Sequence, residues 1–85
     1  MILRITEFQV AGPHSLGLLF NDGTRKTVNV ESLLDGPVFE PLKDVDYFAR
    51  VTLDSVCGTV VWPNGADFAP EALFELSPEG QTSAI

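Results

Sequence analysis

The chain has 85 residues, 45% of them hydrophobic, with six Phe, one Cys and a formal net charge of −7. That length makes one domain, burying roughly 60–65% of the surface its unfolded chain exposes. A lone Cys excludes an internal disulfide and points to a reducing compartment, and the shortage of Lys and Arg argues against direct nucleic-acid binding, which needs cations to displace phosphate counterions.

The N-terminus does not read as a signal peptide. Arg4 and Glu7 interrupt it, and the apolar run Leu18-Leu19-Phe20 is too short to span or target a membrane. The expectation is a soluble, cytoplasmic protein. In chain order, Leu3, Ile5, Phe8 and Val10 mark a first strand whose alternation slips near Thr6-Glu7, which predicts a β-bulge or a strand covered in part on both faces. Ala11-Gly12-Pro13-His14 is turn chemistry. Leu16, Leu18 and Phe20 give a second strand one apolar face, Asn21-Asp22-Gly23 is a hairpin signal, and Thr24 to Val30 returns as a third strand.

The pattern then changes. Glu31 to Asp35 suits one helical turn closed by Gly36, and Pro37 and Pro41 prevent a long helix. Asp44 is placed to cap a short helix through Arg50 that buries Val45 and Phe48. Val51–Asp54 and Gly58–Trp62 read as two more strands, with Cys57 near their connection as a buried or half-buried thiol, and Pro63-Asn64-Gly65 as the next turn. Pro70 opens a helix carrying Ala72, Leu73 and Leu76. The expected fold is α+β: an antiparallel sheet of about five strands with short helices packed on one side, over residues 1–76. Residues 77–85, small and polar, read as a disordered tail.

Three segments carry a family resemblance: Leu19-Phe20-Asn21-Asp22-Gly23-Thr24; Phe39-Glu40-Pro41-Leu42-Lys43-Asp44 followed by Tyr47, Phe48 and Val51; and Gly58-Thr59-Val60-Val61-Trp62-Pro63-Asn64-Gly65-Ala66-Asp67 followed by Pro70-Glu71-Ala72-Leu73-Phe74. The last is the specific one. Together they resemble the bacterial family called domain of unknown function 2442, over residues 2–76. The resemblance implies a small antiparallel sheet with short helices. It also implies an interaction module, because some relatives resemble the front half of longer chains ending in a helix-turn-helix domain. Others are encoded beside a small partner protein, in arrangements proposed to be toxin–antitoxin pairs. This chain ends at Ile85, so the expectation is that no helix-turn-helix domain follows and that DNA contact would come only through a partner. Ala69 stands where relatives often carry a capping Ser or Asp, and Asp67 is a candidate substitute for that cap.

The turn from Trp62 to Asp67 is the leading candidate surface. Trp is enriched at binding hot spots, and Asn64 and Asp67 offer polar groups on a tight loop; the alternative is a core Trp62 with turn chemistry around it. Phe74, flanked by Glu71 and Glu75, is either an outward apolar spot rimmed by acid or a core residue against the sheet edge. A site joining His14, Cys57 and Asp67 would require the three to converge in space. One His and one Cys give no metal-ligand set, and neither a phosphate-cradling glycine loop nor a serine elbow is present, so no cofactor is expected. All five Lys and Arg fall in residues 1–50, whereas 51–85 hold five acids and no base, which favours a basic protein partner. The leading reading is a non-enzymatic module binding a small basic protein, antitoxin-like or regulatory. A ligand-binding or enzymatic site near Trp62 and Asp67 is the alternative. An exposed strand edge and a thin core are also compatible with a homodimer.

Overall fold

In the computed structural model, which describes residues 2–78, the first third of the chain is an antiparallel meander. Its strands are β1 (Ile5–Gly12), β2 (Ser15–Phe20) and β3 (Arg25–Asn29). The slip in the sequence pattern is a real irregularity: Ile5 pairs with Phe20, and Glu7 with Leu19, leaving Thr6 as the extra residue. The bulge lets Ile5 reach the core while keeping Phe8 on the face of Leu18. Leu16, Leu18 and Phe20 are buried together with Val28 and Val30 from the returning strand. Asn21 to Thr24 closes the second hairpin. Gly23 takes a φ of 92° with open space around it, and Asp22 accepts the Thr24 N–H at 2.9 Å.

Short helical pieces follow. The 3₁₀ turns Glu31–Leu33 and Glu40–Lys43 bury Leu34 and Leu42, and Gly36 at φ 92° separates them. Helix α1 (Val45–Phe48) starts where Asp44 accepts the backbone N–H groups of Asp46 and Tyr47. Only one of the two expected core residues goes inward: Phe48 is fully buried, whereas Val45 is 51% exposed. A helix of four residues makes one turn, so its inward direction is held by Phe48 and its first residue stays outside.

Strands β4 (Thr52–Asp54) and β5 (Thr59–Val61) form a separate hairpin, and helix α2 (Pro70–Phe74) brings Leu73 into the core. The five strands thus make two antiparallel sheets of three and two, not one sheet. Among the described residues β1 is joined to the hairpin by one backbone hydrogen bond, from the Ile5 N–H to the Gly58 carbonyl at 2.8 Å. The bulge at Thr6 breaks the alternation immediately afterwards, and the ladder does not continue. The Arg4 guanidinium extends the junction by donating to the carbonyls of Ser55 and Val56. α2 has no side-chain cap, so Asp67 does not replace the missing one; its backbone bridges Val61 instead. Of the expected tail, Ser77 and Pro78 are exposed, and residues 79–85 lie outside the described residues.

Candidate functional site

Trp62 is core. It is 2% exposed, its indole N–H donates to the Phe48 carbonyl at 2.9 Å, and its rings meet Phe48 and Phe68 at centroid distances of 5.4 and 5.7 Å. β5 delivers it there, and the turn after it re-enters the core through Ala66 and Phe68. Asn64 is exposed but occupied: its Oδ1 accepts the Ala66 N–H and its Nδ2 donates to the Val38 carbonyl, tying the turn to the segment before the second 3₁₀ turn. Phe74 is half-buried rather than outward. Its ring stands edge-on to Phe20 at 5.1 Å, and the Lys26 ammonium lies 5.4 Å from its centroid while donating to the Phe74 carbonyl. Lys26 therefore spans apolar surface with its stem and closes the last turn of α2 with its charge. Of the four candidate surface residues, Asp67 alone is exposed with a side chain that meets no polar partner among the described residues.

Among the described residues no hydrogen bond or ring contact joins His14, Cys57 and Asp67 to one another. His14 is half-buried edge-on to Phe48, and its Nε2 donates to the Lys43 carbonyl at 2.8 Å. That acceptor requires the proton on Nε2, so the ring latches the β1–β2 turn onto the segment before α1. Cys57 is exposed in the β4–β5 turn, not buried: Asp54 accepts the N–H groups of Val56 and Cys57 and holds the thiol's segment at the surface. Those two bonds, the one from Cys57 first, hold the Asp54 carboxyl below its ordinary range, and the Thr24 backbone N–H does the same for Asp22. Both are turn-forming carboxylates. Among the described residues no three His, Cys, Asp or Glu gather closely enough to hold a metal ion, and no helix is long and apolar enough to cross a membrane.

The sequence reading missed a different surface, the outer face of the three-stranded sheet. Two cross-strand rows lie on it: Glu7, Leu19 and Arg25 in register, then Gln9, Gly17 and Thr27. They frame an open depression of about 230 Å³ lined by residues of β1, β2 and β3 alone. Leu19 is half-buried yet does not pack against the core, and Gln9 lies over Gly17, where an added Cβ would stand 3.1 Å from its Cγ. The molecule is only 19 Å across its thinnest Cα dimension, room for this sheet and one covering layer at the usual ~10 Å spacing. The side chains of Glu7 and Arg25 meet no polar partner among the described residues. The signal that could have exposed this face is the run Leu18-Leu19-Phe20: in a strand, its middle member must point away from the other two.

The sequence matches, over residues 5–79, the family described as protein of unknown function (DUF2442). The chain belongs to that family. No curated protein and no solved structure matches it. Family membership assigns no activity to the exposed surfaces of this DUF2442 domain.

Proposed function

We propose that this DUF2442 domain is a non-enzymatic, cytoplasmic protein-interaction module, an antitoxin-like or regulatory partner of a small basic protein. The observation that carries this reading is the electrostatics around α2. Asp67, Glu71 and Glu75 are exposed, their carboxylates have no polar partner among the described residues, and residues 51–85 supply no Lys or Arg to neutralise them. Lys26, the cation beside α2, is engaged with the Phe74 carbonyl. Unneutralised surface charge steers a partner of opposite sign and is screened by salt. Glu71 also sits in the first turn of α2, where a carboxylate favours the helix. The test therefore reverses the other two. Tagged protein recovered from its host at native expression should bring down a small basic companion, and D67K/E75K should lose it while melting within a few degrees of the parent, as surface changes do. Recovery of the same companion with D67K/E75K, or of the chain alone, would overturn the proposal.

A further inference from the structure

We infer that the outer face of the three-stranded sheet is a self-association surface, on which a second copy of this chain docks face to face about a two-fold axis running along β2. The inference does not depend on the acidic surface around α2. Its basis is the charge order across the sheet. β1 and β3 flank β2, so the row Glu7–Leu19–Arg25 carries an acid at one end, an aliphatic side chain at the centre and a base at the other. Two strand spacings, roughly 10 Å, separate the two backbones, Leu19 lies between them, and neither side chain meets the other or any polar partner among the described residues.

A two-fold axis along the central strand inverts the row. It sets Glu7 of one copy over Arg25 of the other twice, Leu19 over Leu19, and Gln9 over Thr27. Each of these juxtapositions is attractive, which is the condition an isologous interface must meet. A sheet stacked on an identical sheet is an ordinary packing mode at about 10 Å separation. The same face offers an unrelated basic partner only one carboxylate, Glu7, against Arg25.

The face is small. Three strands about 4.8 Å apart and six residues long at about 3.3 Å each give an area on the order of 300 Å² per copy, below the roughly 800 Å² of a standard interface. The dimer is therefore weak and transient, with a Kd in roughly the micromolar-to-millimolar range, and sensitive to salt.

Sedimentation equilibrium of the full chain from about 10 μM to 1 mM, within that range, should show the mean mass rising from 9.2 kDa towards twice that. Glu7→Arg alone and Arg25→Glu alone should each hold the chain monomeric, because each places like charges opposite one another. The double variant E7R/R25E should dimerise again, and so should an equimolar mixture of the two single variants. Both residues are exposed, and circular dichroism melts would establish that each variant is folded. A chain monomeric throughout, or self-association that the single reversals leave intact, or failure of both the double variant and the mixture to restore it, would overturn the inference and leave this face to a different partner.

Discussion

Replacing Trp62 distinguishes a structural anchor from a binding residue. Truncation to Ala removes a buried ring that touches Phe48 and Phe68 and leaves the Phe48 carbonyl with only the Val51 N–H of its two donors. Large-to-small aromatic changes in a core cost about 3–5 kcal/mol, and loss of the indole hydrogen bond adds about 0.5–1.5 kcal/mol. A chain of this length has about 4–13 kcal/mol of stability in total, so Trp62→Ala should be largely unfolded or close to it at room temperature. Trp62→Phe retains most of the packing and loses chiefly the N–H bond. It should cost about 1–2 kcal/mol, lowering the Tm by about 5–15 °C. Urea titrations followed by far-ultraviolet circular dichroism would measure both, since the substitution removes the one indole fluorophore. A Trp62→Ala protein within about 1 kcal/mol of the parent would refute the placement of the side chain in the core. The consequence for function is direct: loss of a partner on truncating Trp62 would report unfolding, not a contact.

Two further outcomes follow from the turns. Gly58→Ala should destabilise more than Gly23→Ala in thermal melts. Both glycines have positive φ, costing about 1–2 kcal/mol for a side chain, but an added Cβ at Gly58 would lie 2.8 Å from Arg4 Cζ, whereas Gly23 faces open space; equal melting would contradict the Arg4 junction. The turn carboxylates set the acid limb. Asp22 and Asp54 have pKa values below their ordinary 3.8 in the folded chain, so the folded state binds fewer protons there than the unfolded state does. Their contribution is present above about pH 4 and is lost as pH falls through the folded values. D22N/D54N, whose amide oxygens can still accept, should lose less stability between pH 7 and pH 3 than the parent when urea midpoints are compared; an unchanged loss would refute the assignment.

Much of the fold was legible in the sequence because it is written in local chemistry. The bulge at Thr6, the hairpin at Asn21 to Gly23, the Asp44 cap and the turn at Pro63 to Gly65 each follow from backbone preferences of a few adjacent residues. The same segments carried the family resemblance, and the match over residues 5–79 agrees with it. Periodicity also chose the buried face of β2 correctly, since Leu16, Leu18 and Phe20 can share only one side.

What only the tertiary structure decided were questions of distance between segments far apart in sequence. Whether five strands make one sheet or two depends on the orientation of β1 after its bulge, which no local pattern encodes. Trp62 is core because Phe48, fourteen residues earlier, offers a ring and a carbonyl to it. Phe74 is held against the sheet by Phe20 and Lys26 from the hairpin, and Cys57 is outside because Asp54 fixes a turn whose other contacts come from Arg4. The row Glu7–Leu19–Arg25 exists only through the register of three strands. Each of its residues is unremarkable alone, and pairing supplies the order of acid, aliphatic and base that makes the face self-complementary.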